Sequence, residues 1–188
     1  WSIATTLASA EPAPQISIGI VAYRDRSDSY VTKVIDLSRD LDSVFAQLML
    51  LDANGGGDTP ESVNQALYDS INKISWSNNQ QAYQVVFLVG DAPAHMNYQN
   101  DTPFPETLRQ AREKGIIVNT IQCGEQLATK KHWQRIASIG NGDYLTVGQN
   151  GSAIASATPF DEKLAKLAQK LESTRIFYGS KASREKAK

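Results

Sequence analysis

The sequence predicts an α/β fold: a doubly wound, mostly parallel sheet with helices on both faces and one antiparallel edge hairpin. From Asp40 onward, helical and strand patterns alternate along the chain. Such alternation is typical of parallel strands joined by helices. Before Asp40, the alternating apolar stretches 16–24 and 30–37 flank the short polar turn 25–29. Two strands around a short turn predict an antiparallel hairpin.

The remaining elements follow from apolar spacing along the chain. Helical patterns cover residues 1–10, 40–51, 63–74, 105–114, 129–139 and 160–176, and strand patterns cover 85–89, 116–122 and 144–147. The helix over 105–114 has Pro105 near its start and Gly115 beyond its end, the usual asymmetry of helix termini. The charged residues 179–188 are interpreted as a tail or linker that follows a single domain over residues 1–178.

Composition excludes several classes of protein. The chain has 188 residues, 41% hydrophobic and 21% charged, with a formal net charge of −1. These values suit one domain with a proper core and favour neither a nucleic-acid partner nor a disordered chain. Cys123 is the only cysteine, so an internal disulfide cannot form, and the compartment stays open. No apolar run reaches the roughly 18 residues that a membrane span needs.

The strand at 85–89 is the centre of the prediction. It is a continuous apolar run, typical of a strand that is buried on both faces. It stops at Gly90, so Asp91 is placed at the carboxyl end of a central strand, where α/β sheets bind ligands. A carboxylate there requires a cation or several hydrogen bonds. The alternative is that Asp91 only caps a turn or the next helix.

The glycine-rich loop 54–61 is the second candidate part of a site. It lacks the Gly-Lys-Ser/Thr ending of a phosphate-binding loop. One interpretation is structural: Asp58 or Thr59 is a helix N-cap, with Pro60 and Glu61 in the first turn. The other is functional, since three consecutive glycines let the backbone approach a ligand. Oxygen groups at Asp58, Thr59 and Glu61, facing Asp91, suit Mg2+ or Ca2+, with Mn2+ as a further candidate.

Four stretches together resemble a von Willebrand factor type A (vWA) domain over residues 1–147. They are Ile18 to Asp25, Gly-Gly-Gly-Asp-Thr-Pro-Glu, Val-Val-Phe-Leu-Val-Gly-Asp-Ala-Pro and Gly-Ile-Ile-Val-Asn-Thr-Ile, in this order. The resemblance implies a metal-ion-dependent adhesion site on top of the sheet. That site takes Asp-x-Ser-x-Ser from the first strand, a Thr from a second loop and an Asp from a third. Here the second loop is 55–61 and the third-loop residue is Asp91.

Part of the loop is also similar to integrin β-subunit domains, in which a Glu at this place coordinates metal. Glu61 matches that Glu, and Asp25 resembles an acidic residue beside an adjacent cation site. The first strand of the family pattern is missing before Trp1. A literal Asp-x-Ser-x-Ser occurs at Asp25, Ser27 and Ser29, but a strand pattern follows it where the motif requires a helix. We therefore interpret it as a decoy, and the metal site as incomplete in this chain.

The resemblance implies a module that binds or adheres to protein ligands, with an acidic side chain of the partner completing the shell of a divalent cation. It implies no catalysis, and it favours the cell envelope or the outside of the cell. One alternative is a metal-independent vWA scaffold or interaction domain. A less favoured one is an α/β hydrolase, for which a Gly-x-Ser-x-Gly nucleophile elbow is lacking. His95 is a candidate lining residue of the pocket, and His132 is expected to be solvated.

Overall fold

Five strands and four helices form the part of the chain that the computed structural model describes, residues 14–52, 59–79 and 81–148. The predicted helices 1–10 and 160–176 and the tail 179–188 lie outside these residues. In chain order the elements are β1 (Ile18–Tyr23), β2 (Thr32–Ser38), α1 (Leu41–Met49), α2 (Val63–Asn72), β3 (Gln84–Gly90), α3 (Phe104–Glu113), β4 (Ile116–Cys123), α4 (Leu127–Ile139) and β5 (Asn141–Val147).

The strands pair as the sequence predicts. β1 and β2 are antiparallel, and β3, β4 and β5 form a parallel sheet in that order. β3 and β4 stay in register from Gln84 opposite Ile116 to Gly90 opposite Gln122. Within the described residues the hairpin is a sheet of its own rather than the edge of the parallel sheet. The carboxyl ends of all three parallel strands therefore lie at one end of the fold, beside Asp91.

The Asp-x-Ser-x-Ser sequence lies in the turn of the hairpin. After Asp25 to Ser29 the chain enters strand β2, not a helix. The turn is closed by the Arg24 amide donating to the Val31 carbonyl at 2.9 Å. The predicted strand after this sequence, on which the decoy interpretation depends, is therefore confirmed.

The core lies between the parallel sheet and helices α2, α3 and α4. Its fully buried members include Leu67 of α2, Leu108 of α3, Trp133 of α4 and Val118 of β4. The prediction that the central strand is buried on both faces is wrong. Leu88 is 5% exposed, but Phe87 and Val89 are 42% and 47% exposed. Side chains alternate across a strand, and the core helices pack on the face that carries Leu88.

None of the helices in the described ranges combines the length and the apolar character that crossing a bilayer requires.

Candidate functional site

The loop after β3 and the segment before α2 are joined at the carboxyl end of the sheet. Glu61 and Ala94 form a single parallel bridge. The Glu61 amide donates to the Pro93 carbonyl at 2.9 Å, and the His95 amide donates to the Glu61 carbonyl at 3.0 Å. These bonds hold the backbone of Glu61 beside the loop that begins with Asp91.

This pairing overturns the predicted start of helix α2. Neither Asp58 nor Thr59 is its N-cap: Ser62 is, and the helix begins at Val63. Glu61 is therefore extended backbone ahead of the helix, not a residue of its first turn. The physical reason is that two long-range backbone hydrogen bonds at Glu61 outweigh the local capping preference on which the sequence pattern rests. The Thr59 hydroxyl is consequently not engaged as the cap of α2.

A cavity of about 340 Å3 lies at this junction and is lined by Thr59, Glu61, Asp91, Ala92 and Gln126. The structure thus brings together three of the sequence-predicted site residues, Thr59, Glu61 and Asp91. Asp58 lies outside the described residues. Asp25 and His95 are not among the residues that line the cavity.

The cavity carries an excess of negative charge. Burial raises the pKa of the Glu61 carboxyl, and the charges of Asp25, Asp28 and Asp91 raise it further, while His95 acts in the opposite direction. A raised carboxyl pKa means that the ionised form is disfavoured there. A cation in the cavity would offset this repulsion between carboxylates.

Sequence reasoning missed Gln126, which comes from a third loop. It precedes α4, and the Thr129 hydroxyl one turn later donates to the Asp91 carbonyl at 2.8 Å. The available signal was topological: Gln126 follows β4, the neighbour of β3, and neighbouring parallel strands deliver their loops to the same end of a sheet.

Tyr23 was also missed, and it lies next to the end of β3. Its hydroxyl donates to the Val89 carbonyl at 2.8 Å. A Cβ added at Gly90 would collide with that hydroxyl and would lie 3.1 Å from Trp133, so the close approach requires glycine. Burial raises the pKa of the Tyr23 hydroxyl, and the charges of Glu61 and Asp91 act in the same direction. Tyr23 therefore stays protonated as a donor beside the site.

Asp25 is buried in a polar network and is 7% exposed. Its carboxylate accepts hydrogen bonds from the Tyr98 hydroxyl at 2.9 Å to both oxygens and from the Ser62 hydroxyl at 3.0 Å. The His95 Nε2 atom lies 3.7 Å from one oxygen. Burial favours the neutral carboxyl, but the bonds from Tyr98, the backbone of Arg26 and Ser62 outweigh it and hold the pKa of Asp25 below its usual range.

The donor set bears on whether a metal fits. Within residues 14–52, 59–79 and 81–148, no three His, Cys, Asp or Glu side chains are grouped so that they could hold a metal ion. The cavity itself has two carboxylates, Glu61 and Asp91, besides oxygen groups on Thr59 and Gln126. Mg2+ is usually held by one or two carboxylates and keeps several of its waters. In number and type, these oxygen groups are compatible with a partly hydrated cation, and the described residues do not provide an all-protein cage.

His132 is not solvated as the sequence suggested. It is half-buried, its Nδ1 accepts from the Ala94 amide at 3.1 Å, and its ring lies 6.0 Å from that of Phe104. Burial lowers the pKa of His132, and the positive charge of Arg135 lowers it further. His132 therefore supports the loop after β3 in its neutral form.

This arrangement predicts a loss of stability on acidification. Since the folded state lowers the pKa of His132 below its ordinary value of 6.5, the unfolded chain binds more protons as the pH falls from 7 to 5. Stability should therefore fall over this window. The variant His132→Asn, whose side-chain oxygen can accept the same bond, should lose less between pH 7 and pH 5, as measured by urea unfolding. Equal losses in the two proteins would contradict this.

Comparison with known proteins places the fold. No family model and no curated protein matches the sequence. Among solved structures, the chain is similar to BatB of Bacteroides thetaiotaomicron, a conserved hypothetical protein, with 12% identity, a TM-score of 0.56, and coverage of 92% of this chain and 86% of that one. It is also similar to the VWA domain of SpRpn10, with 13% identity, a TM-score of 0.50, and coverage of 80% and 71%. The chain has a vWA-like α/β fold.

Proposed function

We propose that this protein is a binding module for protein ligands, and that a divalent cation at the carboxyl end of β3 mediates the contact. The observation that carries the proposal is the pair Glu61 and Asp91, which line one cavity. The pKa of Glu61 is raised there because burial and neighbouring carboxylates disfavour its charge. A bound cation would turn this repulsion into attraction.

Asp91, Glu61 and Thr59 would hold the cation directly or through water. With few protein ligands, the ion would keep exchangeable waters, and a carboxylate of the partner could displace one of them. The cation would thereby supply both attraction and orientation for an acidic side chain. This is a role in binding, without catalysis.

The number of carboxylates favours Mg2+ over Ca2+. Ca2+ takes 6–8 oxygen ligands, whereas Mg2+ is commonly bound through one or two carboxylates with its remaining positions filled by water. The described cavity has two. Calorimetric titration should therefore give Mg2+ binding, with Ca2+ and Mn2+ as comparisons. Absence of heat with all three ions would count against the cation.

The proposal extends to the integrin-like interpretation of the loop, in which Glu61 contributes more than Thr59. Thr59 does not cap α2, so the two residues differ here in the charge that each can contribute. Asp91 by itself would leave a divalent ion under-neutralised, and a hydroxyl adds no charge.

Glu61→Gln is accordingly expected to weaken Mg2+ binding by about 1–3 kcal/mol, the size of a charge-assisted contact, and Thr59→Val by less. Glu113→Gln, an exposed carboxylate at the far end of α3, is the matched control and should have no effect. If Thr59→Val proved more damaging and Glu61→Gln were silent, the site would follow the ordinary vWA pattern instead.

Among the residues described, the edge of β3 that faces away from β4 pairs with no strand, and β1 pairs only with β2. The Tyr23 side chain joins the two sheets by donating to the Val89 carbonyl.

A metal-independent interaction module is the second candidate. It is favoured because, in the part of the chain that the structure describes, no three His, Cys, Asp or Glu side chains are grouped so that they could hold a metal ion. The two candidates differ in one measurement: capture of a protein partner in EDTA should fail for the first and persist for the second.

A further inference from the structure

We infer that Asp25 is a positioning residue, whose buried carboxylate fixes Glu61 against the loop that carries Asp91, rather than a ligand of the cation. This inference rests on the proposed function, because the site it supports is the cavity between Glu61 and Asp91. It departs from the resemblance to integrin β-subunit domains, which places Asp25 beside a second cation.

The Asp25 carboxylate is occupied by hydrogen bonds from protein hydroxyls. One oxygen of Asp25 accepts from both Ser62 at 3.0 Å and Tyr98 at 2.9 Å, and the second oxygen also lies 2.9 Å from the Tyr98 hydroxyl. The residue is 7% exposed and does not line the cavity. A metal ligand would need oxygen lone pairs that face the ion, whereas these face protein hydroxyls.

Asp25 is connected to Glu61 through Ser62. Ser62 is directly adjacent to Glu61 and is the N-cap residue of α2. Its hydroxyl makes no capping bond to the helix, and it donates to Asp25 instead. The bond therefore ties the start of α2 to the hairpin turn, and it restrains Glu61 because Glu61 immediately precedes Ser62 in the chain.

Asp25 is connected to the loop after β3 through Tyr98. Tyr98 lies in that loop, and its ring is stacked on His95 with centroids 4.1 Å apart. The Arg26 guanidinium lies 4.0 Å from the centre of the Tyr98 ring and forms a 2.6 Å ion pair with Asp101. The His95 amide donates to the Glu61 carbonyl, which links the loop after β3 to the segment before α2.

Asp25 thus joins the hairpin turn, the segment before α2 and the loop after β3. Two of these three segments carry the carboxylates of the cavity. In metal sites, groups that orient the ligands without touching the ion typically change affinity by about 10–100-fold when they are removed. The network around Asp25 is such a group, because it orients Glu61 without itself being a ligand of the cation.

The test is a double variant, Tyr98→Phe with Ser62→Ala, which removes the hydroxyl donors and leaves Asp25 in place. A positioning role predicts a fall in Mg2+ affinity of about 10-fold or more. Unchanged or higher affinity would overturn the inference.

A second readout does not depend on any metal. Hydrogen exchange of the Glu61 and His95 amides should accelerate in the double variant, while that of the β4 amides should not. If the wild-type protein bound no Mg2+, the proposed function would fail, and this measurement would still decide whether Asp25 positions Glu61. Unchanged exchange at both amides would refute the positioning role.

Thr32→Val is the matched control. It also removes a hydroxyl that donates to a buried carboxylate, since Thr32 bonds to Asp69 at 2.6 Å and Asp69 is fully buried. The control should lower stability without changing Mg2+ affinity or the exchange of the Glu61 amide. The single variants Tyr98→Phe and Ser62→Ala give the same comparison, with smaller effects, if the double variant fails to fold.

Discussion

Replacing Asp91 by alanine is expected to abolish measurable Mg2+ binding. Asp91 follows β3 directly and is one of two carboxylates among the described residues that line the cavity. Among those residues, its removal leaves Glu61 as the only anion, and a divalent ion with a single carboxylate is poorly neutralised. The loss should exceed the roughly 10–100-fold typical of groups that only orient a ligand.

Calorimetry on the wild-type protein and on Asp91→Ala measures this effect directly. Asp143→Ala is the matched control, because Asp143 is an exposed carboxylate near the amino end of β5, at the opposite end of the sheet. Its Mg2+ affinity should equal that of the wild type. Retention of Mg2+ binding by Asp91→Ala would remove the cation from the proposed function and leave the metal-independent module.

The fold could be predicted from sequence because its signals are local. The apolar run at 85–89, the polar turn at 25–29 and the alternation of helices with strands each depend on neighbouring residues. The burial of β3 could not be predicted from sequence, because it depends on which face of the strand the core helices cover. Leu88 contacts the core and Phe87 does not, although the two are adjacent in one continuous apolar run.

The candidate site likewise has features that could be predicted from sequence and features that could not. The positions of Asp91, Thr59 and Glu61 at one end of the sheet could be predicted because a strand end and a glycine-rich loop are local features. The extended backbone of Glu61 could not be predicted, since it results from backbone hydrogen bonds with Pro93 and His95. The contact of Tyr98 with Asp25 joins residues 73 positions apart, and no pattern within either segment indicates it. Three of the residues that line the cavity, Thr59, Glu61 and Asp91, were therefore accessible to sequence reasoning, whereas Gln126 and the long-range contacts that support the cavity were not.

The largest effect on stability is expected at Trp133. Its side chain is fully buried, its indole NH donates to the Ile121 carbonyl at 3.2 Å, and its own carbonyl accepts from the Thr120 hydroxyl at 3.1 Å. Its ring also packs beneath Gly90, the last residue before Asp91. Trp133→Ala would leave a cavity in the centre of the core and would remove the indole donor from the Ile121 carbonyl.

Such a change should lower the free energy of unfolding by about 3–5 kcal/mol, a large part of the 5–15 kcal/mol typical of a whole domain. Urea unfolding gives the value. Leu127→Ala on the same helix is the control, since Leu127 is 65% exposed and its loss should change stability by about 0.5 kcal/mol or less. If Trp133→Ala does not fold, Trp133→Phe should show a smaller measurable loss, because the aromatic ring is kept and only the indole NH and part of the volume are removed. A decrease below about 1 kcal/mol for the alanine variant would show that the core closes around the space, and that the end of β3 does not depend on this side chain.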